Sequence, residues 1–444
     1  MTAGYSDTIY AVASGTGRAA LSVLRASGPA SEAALVAMAG GAPAPRRASL
    51  RVLRDGAGEE LDRAIVLWFP GPASYTGEDC FELHLHGGVA VLDGVTSSLS
   101  ALGLRPASPG EFTRRAVTNG RMDLLAAEAV ADIIDAETAL QRKQALAQLG
   151  GEVSAIYTAW SKRLLHLLAQ QEALIDFPDE ALPPEVEAAL LSSIADLARV
   201  FDSYLKQSPR GERLRTGLVF AIVGPPNVGK SSLINALAGR DVAIVSAQPG
   251  TTRDVLEARI EIAGVPVTLL DTAGLREASD AIEIEGIRRA HARMATADYI
   301  LVLHEATALS QEFRNARPLA LEQLDAHVET LVVATKIDLV LDFDPRKCGV
   351  STRTGVGLDD VVRRLEAQVR RLAGAGDTSV FSRARHRSAL ADATRHLDAA
   401  IAAPWPELRG EELRLAHQAV GRITGAAGVE EVLDSVFSQF CIGK

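Results

Sequence analysis

The sequence is poor in cysteine, in long apolar runs and in positive charge, and each shortage excludes a class of protein. Its three cysteines (Cys80, Cys348 and Cys441) are an odd and scattered set among 444 residues, so they form no disulfide framework and fit a reducing compartment. No apolar run approaches the length of a membrane span, and residues 1–7 lack the basic and apolar segments of an export signal. We therefore expect a cytoplasmic protein with no membrane segment.

The net charge of −10 argues against wholesale electrostatic capture of nucleic acid. A local basic cluster (Arg383, Arg385, His386 and Arg387) could contact RNA, although we favour a solvated helix face as the explanation of the cluster alone. With 47% hydrophobic and 23% charged residues the chain is globular, not disordered. Its 444 residues predict about three domains.

The predicted secondary structure changes near residue 120, from mixed strands and helices to helices. Before it, four β-branched or alternating stretches predict strands at residues 8–13, 20–25, 64–69 and 80–86, with alanine-rich segments between them. We interpret residues 1–119 as an N-terminal α+β domain. After it, residues 122–149, 153–175, 184–205, 382–402 and 411–440 have helical spacing, and Ser208-Pro-Arg-Gly211 predicts a break.

These segments predict a multidomain α/β fold in which a nucleotide-binding domain is inserted into a helical one. The predicted bounds are 1–119 for the N-terminal domain, 120–215 with 376–444 for the helical domain, and 216–375 for a Ras-like P-loop domain. The insertion is the simplest account because neither helical piece is large enough to form a core alone.

The best-defined motif is Gly224-Pro-Pro-Asn-Val-Gly-Lys-Ser231, which follows the apolar run 218–223 and precedes a helical segment. Strand, glycine-bounded loop and helix in this order predict a phosphate-binding loop. Its glycines let backbone N–H groups turn towards a β-phosphate, and the helix adds its positive dipole end. Lys230 would reach the β- and γ-phosphates, and the Ser231 hydroxyl would bind Mg²⁺.

Three more stretches follow in the order that a guanine-nucleotide switch requires. Gly250-Thr-Thr-Arg-Asp254 offers the Thr252 hydroxyl to Mg²⁺, and Asp271-Thr-Ala-Gly274 places a carboxylate and a free N–H near the metal and the γ-phosphate. Thr335-Lys-Ile-Asp338 ends a strand, and the Asp338 carboxylate would accept from guanine N1 and N2, a donor pair that adenine lacks. Ser351 follows the last predicted strand beside the base.

Two departures from the usual GTPase pattern affect affinity and catalysis. Thr335 stands where the base-reading motif usually opens with Asn, so we expect modest nucleotide affinity without acceptance of ATP. Leu275 stands where Ras-like GTPases have the glutamine that positions water. Glu283 and Glu285 are the nearby acids that could replace it, unless both decorate an exposed helix start.

The chain resembles the tRNA-modification GTPase family MnmE (TrmE) essentially from end to end. The segments that carry the resemblance, besides the four GTPase motifs, are residues 74–79, 82–88, 109–116, 119–124, 127–132, 175–178 and the terminal Phe440-Cys-Ile-Gly-Lys444. The resemblance implies a GTPase activated by a bound K⁺, with Asn227 as a ligand and oxygens from Ser246, Gln248 and Thr251 beside it. It also implies that Glu283 orients the attacking water.

The predicted nucleotide contacts extend around these motifs. The full set is Asn227, Val228, Gly229, Lys230, Ser231, Ser232, Ser246, Ala247, Gln248, Pro249, Gly250, Thr251, Thr252, Asp271, Thr272, Ala273, Gly274, Thr335, Lys336, Asp338 and Ser351.

The resemblance further implies that the N-terminal domain dimerises and binds a tetrahydrofolate one-carbon derivative, either 5-formyl or 5,10-methylene. The family's folate contacts fall on Arg25, Glu82, Arg121 and Lys444, with Arg121 where the family generally has Lys. Without the family, Arg25 and Glu82 would be interpreted as ordinary strand-edge charges. Cys441 is a nucleophile or general acid, or else a small residue packed near the folate.

The implied reaction needs a flavin-bearing MnmG-type partner and adds an aminomethyl-type group at C5 of the wobble uridine of tRNA. GTP hydrolysis then drives a conformational cycle and not the carbon transfer. Two alternatives are a regulatory RNA-binding GTPase of the ribosome-assembly type, and a folate-binding protein that GTP merely regulates. No RNA-binding appendage with a G-x-x-G loop is evident in the sequence, so we favour the modifying enzyme.

Overall fold

The computed structural model describes residues 5–15, 17–176, 184–239, 257–271, 297–308, 328–344, 346–374, 383–425, 436–437, 440 and 443. The chain forms two compact units. The first comprises Met1–Ala131, Gln148–Ala195 and Asp392–Lys444, and the second comprises Asp132–Ala147 and Asp196–Ala391. Among the described helices, none is both long and apolar enough to cross a membrane. The division into three domains stays a prediction.

The first unit contains a six-stranded sheet. Its strands are β1 (Ile9–Val12), β2 (Ala19–Ser27), β3 (Ser49–Arg54), β4 (Glu60–Phe69), β5 (Cys80–Gly87) and β6 (Arg105–Pro106). Their order across the sheet is β3-β4-β5-β2-β1-β6, and only the β1–β6 pair is parallel. The four predicted strands are confirmed, whereas β3 and β6 were missed.

One face of this sheet forms a core with two helices, α1 (Ser31–Ala39) and α2 (Val89–Ala101). Side chains alternate along a strand, so Leu24 of β2 and Leu83 of β5 point into this core and are buried. Arg25 and Glu82 therefore lie on the other face. A further helix, α3 (Glu111–Thr118), contributes Phe112 to a small apolar cluster with Ile9 and Ala11 of β1.

The remaining described helices lie where the sequence predicts helical segments, except the one over Leu358–Ala373, which was missed. They are α4 (Leu124–Asp135), α5 (Ala139–Leu149), α6 (Glu152–Asp176), α7 (Pro184–Thr216), α8 (Lys230–Ala238), α9 (Leu358–Ala373), α10 (Ala384–Ala402) and α11 (Pro406–Thr424). In the first unit α6 and α11 are joined by polar contacts: the Gln171 amide donates to the Pro406 carbonyl at 3.0 Å, and the Ser161 hydroxyl lies 2.9 Å from His417 Nε2.

The predicted break at Ser208-Pro-Arg-Gly211 is wrong, because α7 continues through Pro209 to Thr216. A proline inside a helix removes the N–H that would bond to the carbonyl four residues earlier, here Leu205. The Ser208 hydroxyl donates to that carbonyl at 3.0 Å and replaces the missing bond. This local substitution allows the helix to pass a residue that usually ends one.

The second unit contains a six-stranded sheet built from β7 (Leu218–Val223), β8 (Glu257–Ile262), β9 (Val265–Asp271), β10 (Tyr299–Glu305), β11 (Thr330–Thr335) and β12 (Gly349–Val350). The order is β12-β11-β10-β7-β9-β8, and all neighbours are parallel except β8 and β9. Strands β7, β9, β10 and β11 are nearly continuous apolar runs, which is typical of a sheet covered on both faces. Helices α8 and α9 pack against it.

Candidate functional site

The phosphate loop connects β7, which ends at Val223, to α8, which begins at Lys230. Asn227 and Gly229 have φ of 60° and 104°, so the chain turns through left-handed conformations just before the helix. A Cβ at Gly224 would lie 2.6 Å from the Leu303 carbonyl oxygen of β10. Only glycine fits there, and the loop therefore lies directly over the carboxyl end of the sheet.

Lys230 folds back over the loop that precedes it. Its Nζ donates to the carbonyls of Gly224 at 2.9 Å and Pro225 at 3.0 Å, and the residue is 6% exposed. An ammonium at this position lies where a phosphate oxygen can replace the carbonyls as its acceptor.

Ser231 and Asp271 lie close together because β7, which leads into α8, and β9 are neighbours in the sheet. Ser231 is the second residue of α8, and Asp271 is the last residue of β9, which pairs with β7. The Ser231 hydroxyl donates to Asp271 Oδ2 at 2.6 Å. A hydroxyl and a carboxylate beside a phosphate loop are oxygen donors of the kind that Mg²⁺ prefers.

Thr335 has a role that its sequence position did not predict. Its hydroxyl donates to the Val228 carbonyl at 2.7 Å and lies 3.2 Å from the His304 carbonyl, and the residue is buried. The side chain thus ties the phosphate loop to the ends of β10 and β11. The next residue, Lys336, has φ of 57° and forms an ion pair with Glu305.

Asp338 is held by residues from two loops at the same edge of the sheet. It lies in the short helical turn Ile337–Leu339 after β11, and Ser351 follows the neighbouring β12. A hydrogen bond from the Ser351 hydroxyl lowers the pKa of Asp338, and the Arg353 guanidinium lowers it further. Arg353 Nη2 lies 2.8 Å from Asp338 Oδ2. Arg353 was not predicted as a site residue, although it stands two positions after the predicted Ser351.

Several predicted site residues lie outside the described residues. These are Ser246, Ala247, Gln248, Pro249, Gly250, Thr251, Thr252, Thr272, Ala273, Gly274, Glu283, Cys441 and Lys444. Their placement stays a prediction.

A second polar site lies on the outer face of the sheet in the first unit. Arg25 of β2 is directly opposite Glu82 of β5, and its Nε and Nη2 donate to Glu82 Oε1 at 3.0 and 2.8 Å. The guanidinium carbon lies 5.3 Å from the ring centre of Tyr75 and 5.9 Å from that of Phe112. Burial raises the pKa of the Tyr75 phenol, whose oxygen is 2.9 Å from Thr113 Oγ1.

This geometry corrects the interpretation of Arg25 and Glu82 as strand-edge charges. β2 and β5 are central strands, and the Arg25 guanidinium lies beside two aromatic rings. Beside it, His84 Nε2 lies 3.5 Å from Glu82 Oε2, and His86 Nδ1 lies 2.7 Å from Asp62 Oδ1. Across the described ranges no group of three or more possible metal ligands occurs.

Arg121 lies against the loop that carries Tyr75. A Cβ at Gly77 would lie 3.2 Å from Arg121 Cγ, and the Asn119 amide donates to the Thr76 carbonyl at 2.8 Å. One loop therefore contacts Arg25 through its tyrosine and Arg121 through its glycine.

The described residues of the C-terminal tail (Val436, Phe437, Phe440 and Gly443) pack against other parts of the first unit. A Cβ at Gly110 would lie 2.9 Å from the Phe437 carbonyl and 3.0 Å from Phe440 Cβ. A Cβ at Gly443 would lie 2.4 Å from the carbonyl oxygen of Val12, the last residue of β1. Because β1 pairs with β2 at Arg25, the tail approaches the strand beside the Arg25–Glu82 pair.

Comparisons with known proteins cover both sites. A family model described as the GTP-binding protein TrmE N-terminus matches residues 8–121, and one described as the MnmE helical domain matches residues 124–441. A protein of Granulibacter bethesdensis called tRNA modification GTPase MnmE is 53% identical over 443 residues, covering 99% of each chain. A protein of the same name from Acidiphilium cryptum is 49% identical and covers 100% of each chain.

Among solved structures, a variant of Aquifex aeolicus Era bound to GDP·AlF4⁻ is 26% identical, covers 40% of this chain and 66% of that one, and has a TM-score of 0.25. That score is too low to carry an argument. The family matches and the observed sheets and helices confirm the predicted fold class. Since the family models together span residues 8–121 and 124–441 and the full-length relatives are 49% and 53% identical, the chain belongs to the MnmE family of tRNA modification GTPases.

Proposed function

We propose that the chain binds and hydrolyses GTP and that this cycle drives modification of the wobble uridine of tRNA. The observation that carries the proposal is the 2.6 Å hydrogen bond from the Ser231 hydroxyl to Asp271. It lies next to a phosphate loop whose Gly224 carbonyl accepts from Lys230 Nζ. The relatives' names supply the tRNA modification.

A magnesium ion fits the oxygens of Ser231 and Asp271, and Thr252 is the proposed second hydroxyl ligand. The bound ion would neutralise charge on the β- and γ-phosphates. The Ser231 hydroxyl would turn its oxygen to the ion, while Asp271 holds the ion through water. Lys230 would exchange its two loop carbonyls for phosphate oxygens.

The guanine base would bind at Asp338, because a carboxylate fixed by Ser351 can accept from N1 and N2 together. Thr335 and Lys336 would flank the base. Thr335 already uses its hydroxyl inside the protein, which supports a modest affinity.

Potassium would bind beside the phosphate loop, with Asn227 as one ligand and Ser246, Gln248 and Thr251 contributing oxygens. Asn227 is exposed and stands at a turn of left-handed backbone, so its amide is free to face a cation. Such a charge would stabilise the transition state as an arginine does in other GTPases. Glu283 would orient the attacking water.

The Arg25–Glu82 pair would bind the tetrahydrofolate derivative, with Arg121 and Lys444 completing the contacts. A planar ring with hydrogen-bonding edges fits a guanidinium and a carboxylate that lie beside Tyr75 and Phe112. The packing of Gly443 on β1 supports a place for the tail at this site. Cys441 would act there as nucleophile or acid, or as a packing residue.

The complete system would be a homodimer that assembles with an FAD-containing MnmG-type partner and with tRNA. It would add an aminomethyl-type group at C5 of the uridine, and GTP hydrolysis would move the domains. The three-domain division given above is part of this proposal.

The test is nucleoside mass spectrometry of total tRNA from cells lacking the protein, complemented with wild type, Ser231→Ala or Cys441→Ser. We expect the modified uridine to vanish on deletion and to return with wild type but not with Ser231→Ala. Return with Cys441→Ser would assign that cysteine to packing. If the modified uridine persists in the deletion strain, the proposed role in tRNA modification is refuted, and the regulatory RNA-binding GTPase becomes the favoured function.

A further inference from the structure

Arg353 contacts the carboxylate that is proposed to read the guanine base. β11 and β12 are parallel neighbours, with Thr335 opposite Val350, so the loops carrying Asp338 and Arg353 leave the same edge of the sheet. Arg353 Nη2 lies 2.8 Å from Asp338 Oδ2. The Asp338 side chain is 15% exposed and that of Arg353 is 77% exposed.

Guanine needs both oxygens of the Asp338 carboxylate. Its two donors, N1–H and the exocyclic amine, lie side by side and would each take one carboxylate oxygen. Arg353 Nη2 already lies 2.8 Å from one of them, Oδ2. Guanine and Arg353 therefore need the same oxygen.

We propose that Arg353 is the donor that leaves and that it competes with guanine for Asp338. Ser351, which follows β12 beside the carboxylate, is 1% exposed and cannot move away. Arg353 is a long, exposed side chain that regains water when it is displaced. The inference rests on the proposed GTP binding and adds that Arg353 sets the affinity of this site for guanine nucleotides.

Two effects of opposite sign follow from removing the guanidinium. Loss of the Arg353–Asp338 ion pair tightens guanine binding by about twofold to fivefold, which corresponds to the free energies measured for exposed ion pairs. Loss of a positive charge weakens the attraction for phosphates at long range, and salt screens both effects. A control must therefore remove the same charge nearby without touching Asp338.

Arg346→Gln is that control. Arg346 is exposed, lies on the loop before β12, and pairs with Asp344 at 3.1 Å. The experiment measures the dissociation constant of fluorescent GDP for the full chain and for Arg353→Gln, Arg353→Lys and Arg346→Gln, at low and high salt.

We expect Arg353→Gln to bind GDP about two to five times more tightly than Arg346→Gln at low salt. The difference should shrink at high salt, and Arg353→Lys should resemble wild type because it keeps a cation on Asp338. Equal or weaker binding by Arg353→Gln than by Arg346→Gln overturns the proposal. A wild-type chain that binds no GDP would instead overturn the proposed nucleotide binding.

Discussion

Replacing Gly443 with alanine should detach the tail from β1. Gly443 has φ of 100°, where a residue with a side chain costs about 1–3 kcal/mol. Its new Cβ would also lie 2.4 Å from the Val12 carbonyl oxygen, whereas even close carbon–oxygen contacts need about 3.3 Å. A combined cost of at least about 2 kcal/mol lowers the docked population about thirtyfold relative to the undocked one.

The assay compares two readouts of the same variant. In the complemented deletion strain, Gly443→Ala should lose most of the modified uridine, because the tail would no longer dock on β1 beside the proposed folate site. Purified Gly443→Ala should hydrolyse GTP as wild type does, since the phosphate loop belongs to the other unit. A parallel loss of 5-formyl-tetrahydrofolate binding would locate the defect.

Gly103→Ala is the matched control for backbone strain. Gly103 belongs to the same unit and has φ of 86°, but a Cβ there meets nothing within 4 Å. The control should therefore modify tRNA normally. If Gly443→Ala also modified tRNA like wild type, tail docking would be unnecessary for the reaction and the reasoning would be refuted.

Three further outcomes can be measured on purified protein. Ser231→Ala should weaken Mg²⁺-dependent GTP hydrolysis by at least about tenfold, whereas Ser231→Thr, which keeps a hydroxyl for the metal, should retain most activity; equal losses would contradict the metal role. Thr335→Val should lower the free energy of unfolding by about 1–3 kcal/mol, because it removes the hydroxyl that donates to the buried Val228 carbonyl. An unchanged thermal midpoint would refute a stabilising role of this bond, and an ATP affinity matching that for GTP in wild type would refute the predicted selectivity. Burial alone would raise the pKa of Glu111, but hydrogen bonds led by that from Arg105 lower it overall. The stability that a carboxylate with a lowered pKa contributes is present above the unfolded-state pKa of about 4.3, and it is lost as the pH falls through the lower folded-state value. Arg105→Gln should therefore unfold at a higher pH than wild type in an acid titration followed by circular dichroism.

The phosphate loop and four of the six strands in the first unit could be predicted because their information is local. Gly224 to Ser231 is one contiguous stretch, and the strand, loop and helix that make it meaningful adjoin it directly. The order of strands is different, since no periodicity states which neighbours pair. Arg25 and Glu82 were therefore assigned to strand edges without the family, although β2 and β5 lie inside the sheet.

The contacts missed at the nucleotide site join residues that the sequence separates. Thr335 and Val228 meet only because β10 and β11 end beneath the phosphate loop. Arg353 reaches Asp338 only because β11 and β12 are neighbours. Pro209 was interpreted as a break because proline usually ends a helix. The sequence does not show that the Ser208 hydroxyl donates to the Leu205 carbonyl and replaces the missing backbone bond.

The contact between Gly443 and Val12 also affects when this protein can finish folding. Almost the whole sequence separates the two residues, and the contact cannot form until the ribosome has released the later one. The tail can pack on β1 only after the strands beside β1 have been synthesised. The contact therefore joins residues far apart in sequence and has a high contact order. A chain cut short by premature termination would keep its GTP-binding motifs but lack the contact between the tail and β1, beside the proposed folate site.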